Sequence, residues 1–313
     1  MRTTQHRARQ RTRNTLLLSQ ILGLLIGPWV ANNAVAATLP VHCDTGGTVQ
    51  GALNAASNGD TILVDGVCNE NVTVRDELTR ITIDGQGSAT IHGPSPAAAV
   101  IQVLGRNITI KRFTITGGRQ GFSVLRGGSV LIDSNTIEDS AGAGILVHQN
   151  AHARIVNNTI QFNPNTGITV QESSIARIGF LDLAGPVAGN VIQRNGIAGV
   201  IVQRGGVASL AGNAISENDG PGVLVSGASH GDLAGNRIDR NGSDGVLVTQ
   251  NSDVQLGGEP SILEPANDTT IPNGGFGFHC SLNSSADGSP GTLAGLQGVS
   301  KFDSSCSNGP KIK

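Results

Sequence analysis

The chain has 313 residues, with 21 basic and 23 acidic side chains and a formal charge of −2. Five of the basic residues and none of the acidic ones precede residue 37, so the remainder sets 16 against 23, a net charge of −7. Phosphate binding rests on clustered Lys and Arg, so no nucleic-acid partner is expected; Tyr is absent, and the single Trp lies at position 29.

From the N-terminus, Arg2, Arg7, Arg9, Arg11 and Arg13 form a basic region ahead of the apolar run 16–26. The small residues "AVA" at 34–36 follow. That order predicts a secretory signal peptide over 1–36 with cleavage after Ala36. The run is shorter than the roughly 20 residues of a membrane span, and no later stretch is apolar enough for one. A secreted or periplasmic protein without a span is expected. Cys43, Cys68, Cys280 and Cys306 are even in number, which in an exported chain reads as two disulfides with three pairings open. Residues 48–57, "TVQGALNAAS", place Val49, Leu53 and Ala56 on one helical face, and "NG" follows as a stop signal.

The middle of the chain repeats itself. "GILV" (144–147), "GITV" (167–170), "GVIV" (199–202), "GVLV" (222–225) and "GVLV" (245–248) recur at steps of 23, 32, 23 and 23, the long step holding an insertion around 179–187. Nine residues ahead of each stands "NTI", "NTI", "NVI", "NAI" or "NRI", beginning at Asn135. "GFSV" at Gly121 lies one further step upstream. A fixed period of this kind means stacked supersecondary units. Period-2 alternation and Asn/Gly punctuation make each unit a set of short strands. Equal positions then fall into rows. Ile145, Ile168, Val200, Val223 and Val246 form one inward row, and Val147, Val170, Val202, Val225 and Val248 the next. Asn163, Asn195, Asn218 and Asn241 read as a ladder of stacked amides, with Arg194, Glu217 and Arg240 alternating in sign beside it.

On these motifs the chain resembles the right-handed parallel β-helix proteins of the pectin-lyase-like superfamily. The resemblance implies an all-β solenoid with an N-terminal capping helix over 48–57 and a loop-rich C-terminal cap. The domain boundaries are an N-terminal cap at 37–75, repeats at 76–260 and a C-terminal cap at 261–313. With the two ends on the order of tens of Å apart, and Cα atoms needed within about 7 Å, the pairings become Cys43–Cys68 and Cys280–Cys306.

Enzymes resembling polygalacturonases carry acids just before the "G-I-x-V" strand. Here that row holds Ala143, Thr166, Ala198, Pro221 and Asp244. Asp244, with Asp219 in the preceding unit, is the weak candidate for the carboxylate pair of glycoside hydrolysis, against an ordinary turn role. Mannuronan epimerases carry D-P-H in a comparable strand; His148 matches the His, while Leu146 replaces the Asp. His152 and His230 are expected on the surface, three units or about 14 Å apart, too far to share an ion. No outward row has consecutive acids for calcium, and no cofactor is called for. Between the inward rows lie Leu146, Thr169, Ile201, Leu224 and Leu247, an outward apolar ridge about 19 Å long. Such a ridge is a binding surface, or is covered by residues 179–187 or 257–274. The favoured reading is a non-catalytic exported protein that binds a glycan or an envelope protein; the alternative is a polysaccharide lyase, hydrolase or epimerase.

Overall fold

A computed structural model describes residues 36–182, 187–257 and 265–308; the expected signal peptide lies outside the described residues. The chain winds as a right-handed parallel β-solenoid of about 11 turns with one short helix near its start. The strands of the repeated glycine-led phrase lie in a ten-stranded parallel sheet, and the described strands outside that sheet form an eighteen-stranded one.

Register follows the repeat. Val202 pairs with Val170 and with Val225, and Val225 pairs with Val248. The inward rows are fully buried, from Ile145 and Val147 to Val246 and Val248. β-branched side chains stack well on such a surface because their restricted rotamers already suit the strand. The glycine heading each strand is required by close approach. A Cβ on Gly222 would stand 2.6 Å from Ile238 Cγ2 and 2.8 Å from both Asn241 Nδ2 and the Gly245 carbonyl oxygen.

Two buried asparagine ladders hold the corners. In the expected one, Asn218 Oδ1 accepts from the backbone N–H of Asn195 at 3.1 Å and from Asn195 Nδ2 at 2.9 Å. Asn218 Nδ2 donates to Ile192 O at 3.2 Å and to Asn241 Oδ1 at 2.9 Å. The ladder continues past the repeats to Asn273. The "N-x-I" phrase supplies a second ladder, from Asn135 through Asn158, Asn190, Asn213 and Asn236 to Asn267. Residues just before the first ladder are left-handed without being glycine, with φ of 55° at Arg194, 56° at Glu217 and 50° at Arg240. Such a conformation costs about 1–2 kcal/mol, and the amide bonds at the same corner offset it. Glu217 meets Arg194 and Arg240, each at 2.8 Å; these exposed pairs add about 0.2–1 kcal/mol each.

The N-terminal end carries the expected short helix. Thr48 caps helix Val49–Ala55 by accepting from Gly51 N, and Glu70 accepts from the N–H groups of Val49 and Gln50. Val49 and Leu53 are fully buried over the first coil. Cys43–Cys68 and Cys280–Cys306 are bonded, with Cα separations of 5.1 and 5.9 Å. Rungs continue beyond residue 260, where Phe276–Cys280 pairs with Val246–Val248 and with Gly298–Phe302. Among the described residues no helix is long and apolar enough to cross a membrane.

Asn218→Ala is expected to destabilise the protein by about 2–4 kcal/mol, because it leaves buried partners above and below unsatisfied. Arg194→Ala should cost no more than about 1 kcal/mol. Urea denaturation of the two variants checks the order.

Candidate functional site

Strand alternation sends every second residue of the ten-stranded sheet outward. One outward row runs Gln102, Ser123, Leu146, Thr169, Ile201, Leu224, Leu247, His279 and Lys301 in adjacent register. The five ridge positions lie outside the apolar core cluster. Leu146, Leu224 and Leu247 are half-buried, while Thr169 and Ile201 are buried. The described ends of both covering candidates sit elsewhere. Val187 pairs with Phe180 and packs at Gly212, and Pro265 packs at Gly235, all beside the eighteen-stranded sheet.

A second outward row, just past each strand, is polar. Gln203 Nε2 donates to Gln171 Oε1 at 2.8 Å, and Ser281 Oγ donates to Thr249 Oγ1 at 3.1 Å. His148 belongs to this row. Its Nε2 is 3.1 Å from Ser123 Oγ, and its Nδ1 is 3.7 Å from Glu172 Oε2. Burial depresses the His148 imidazole below its ordinary value, with Glu172 opposing the shift.

The two candidate acids sit in different surroundings. Asp244 is buried and turned toward the following coil, where Oδ1 accepts from Phe276 N at 2.7 Å and Oδ2 meets His279 Nδ1 at 3.0 Å. Asp219, in the preceding coil, is exposed, and among the described residues no hydrogen bond links its carboxylate to Asp244. His279 Nε2 is buried without a hydrogen bond, 3.9 Å from Asp303 Oδ1. The spacing of the sequence hid this cluster, since 32 residues rather than 23 separate Leu247 from its row partner His279.

The outward face of the eighteen-stranded sheet is concave where Asn107, Ser129, Leu131, His152, Arg154, Ile175 and Arg177 line a groove of about 570 Å³. His152 and Arg154 are exposed. Among the described residues Arg154 has no ion pair or hydrogen bond. Arg177 Nη1 donates to Leu181 O at 3.3 Å, with its guanidinium carbon 5.9 Å from the Phe180 ring centre. Along the same row the sign reverses, through Ser209 to Asp232, Gln255 and Asp287. There His230 bonds Asp253 and Asp232 through its two ring nitrogens. Burial opposes its charge, but the two carboxylates together outweigh burial and hold the imidazole above its ordinary value. Cys43, Cys68 and Glu70 also converge, but the sulfurs are bonded to each other and Glu70 caps the helix.

The family model described as "Right handed beta helix region" matches residues 54–181 and 185–286. The chain belongs to this β-helix family. Among solved structures, the β-helix protein is similar to the periplasmic alginate epimerase AlgG, at 16% identity over 88% of this chain and 72% of that one, with a TM-score of 0.54. It is similar also to pectate lyase Pel9A, at 13% identity over 90% and 82%, with a TM-score of 0.58. At these identities the likeness is one of fold. Among curated proteins none matches the sequence.

Because the folded His230 titrates above its unfolded value, its contribution is fully present below about pH 6.5 and is lost as pH rises through the folded value. His230→Gln should therefore lower the urea midpoint more at pH 5.5 than at pH 9. Equal loss at both would exclude the charged pairing.

Proposed function

We propose that this β-helix protein is exported and binds acidic polysaccharide, holding the chain without cleaving its glycosidic bonds. The observation that carries the reading is the groove in which Arg154, without an ion pair among the described residues, stands beside Arg177 and His152. The mature chain is acidic as a whole, and a local cationic cleft is what allows such a protein to attract a polyanion. Exposed Ile175 and neighbouring Leu131 supply apolar contact beside the charges. The names of the structural neighbours, an alginate epimerase and a pectate lyase, both refer to anionic polysaccharides. The signal-like N-terminus and the two disulfides favour a secreted or periplasmic address. The preference for binding over cleavage rests on Asp244, whose carboxylate is engaged by Phe276 and His279. A second reading rests on half-buried Leu146, Leu224 and Leu247, with Ile201 buried between them: this outward row is a docking surface for an envelope protein.

The mature protein is expected to bind alginate or pectate more tightly at 50 mM than at 300 mM NaCl. Replacing both Arg154→Gln and Arg177→Gln should weaken binding by about tenfold, as loss of two charge-assisted contacts implies. Titration calorimetry with a neutral glucan as control measures this. Binding unchanged in the double variant would refute the groove, and release of new reducing or unsaturated ends would replace a binder with a depolymerising enzyme.

A further inference from the structure

Three consecutive rungs of the ten-stranded sheet bring a hydroxyl, an imidazole and a carboxylate into line on one face. Ser123 stands in the outward row directly below Leu146. His148, two residues beyond Leu146, reaches back to it with Nε2 at 3.1 Å from the Oγ. Glu172, one rung further on, presents Oε2 to the other ring nitrogen at 3.7 Å. The carboxylate is itself held: its Oε1 accepts from Gln171 Nε2 at 3.2 Å and lies 3.8 Å from Arg204 Nη1. Ladder packing does not require this set. The places equivalent to Ser123 in the following rungs are Leu146, Thr169, Ile201, Leu224 and Leu247, and those equivalent to His148 are Gln171, Gln203 and Ser226. Among the described residues, only at Ser123 does a hydroxyl meet an imidazole backed by an acid.

We propose that Ser123, His148 and Glu172 form an acyl-transfer site that hydrolyses short carboxylic esters, of the class of O-acyl substituents on carbohydrate. The inference goes beyond glycan binding and does not depend on it. Nucleophile, base and orienting group are recognised by geometry and role rather than by sequence order, and unliganded sites are commonly looser than the reacting complex. Ser123 is 6% exposed and the His148 side chain 15%. The depressed imidazole is neutral near pH 7 and ready to accept a proton. Gln102 precedes Ser123 in the row. Its amide has no hydrogen bond among the described residues, leaving an N–H for the oxygen that becomes negative.

In the reaction Ser123 Oγ bonds the acyl carbon while its proton passes to His148 Nε2. The ester C–O bond breaks, and the leaving alcohol oxygen takes that proton. Water then attacks the acyl carbon and gives a proton to Nε2, the acid departs, and Ser123 regains its hydrogen. Nothing is oxidised or reduced. Glu172 is a positioning residue that fixes the imidazole orientation and stabilises the imidazolium.

The test treats the mature protein with a fluorophosphonate probe and with p-nitrophenyl acetate, neither of which contains a glycan, so the result is independent of the groove. Trypsin should release Gln120–Arg126, in which Ser123 is the only hydroxyl residue, carrying the phosphonyl adduct. Ser123→Ala should abolish labelling, and His148→Gln should slow ester hydrolysis by at least about 100-fold. Glu172→Gln should move the rising limb of the rate–pH profile to lower pH, because it removes the charge that raises the imidazole. An unlabelled Gln120–Arg126 peptide in the unaltered protein overturns the proposal whether or not the variants fold. So does ester hydrolysis retained in Ser123→Ala, or a pH limb unmoved in Glu172→Gln.

Discussion

Everything in this molecule depends on a buried amide bonding the same amide one coil away. A parallel coil has no hairpin to set its register, and a shift by one residue would turn each inward row to solvent. The two asparagine ladders prevent that slip. Each rung of a ladder ties a side chain to the backbone N–H and amide of its neighbour at about 3 Å. The corners they secure include left-handed residues with large side chains, such as Arg194 and Glu217. The valine and isoleucine rows supply burial, and the ladders decide which valine lies on which.

That superposition also explains why chemistry here is assembled across coils. A strand of three residues offers one outward side chain, so a constellation must draw on successive rungs. Ser123, His148 and Glu172 come from three coils; Asp244, His279 and Asp303 come from three others. The two groups differ in what surrounds them. At the C-terminal end, Phe276 packs edge-on against His279 and Lys301 lies over the Phe276 ring. Beside Ser123 in its row stands Gln102, a half-buried polar residue.

The fold was legible because stacking repeats its demands. Valine rows, the glycine forced by close approach and the Asn163–Asn241 ladder all recur at the coil period, and the disulfide pairings followed from the distance between the ends. The second ladder was visible as the phrase "N-x-I" but not as a ladder, since nothing in composition separates a turn asparagine from a buried one. Asn267, Asn273 and His279 were concealed by an insertion that breaks the 23-residue step. The site was less legible for a related reason. His148 could be placed in its row, but Glu172 reaches it from a turn residue with φ of 55°, and no alternation rule gives the direction of such a side chain. The groove at Arg154 and Arg177 depends on surface curvature, which strand alternation does not give.

The direct measurement of coil-over-coil register is cysteine cross-linking on the outward row. Thr169 and Ile201 are Cα partners in adjacent rungs, and Leu224 is one rung beyond Ile201. Adjacent rungs lie about 4.8 Å apart, within the 4.4–6.8 Å Cα range of a disulfide, while two rungs exceed it. With the native disulfides intact, the pair Thr169→Cys and Ile201→Cys should cross-link under mild oxidation, and the pair Thr169→Cys and Leu224→Cys should not. Cross-linking of the second pair in preference to the first would contradict the register on which both proposed sites rest.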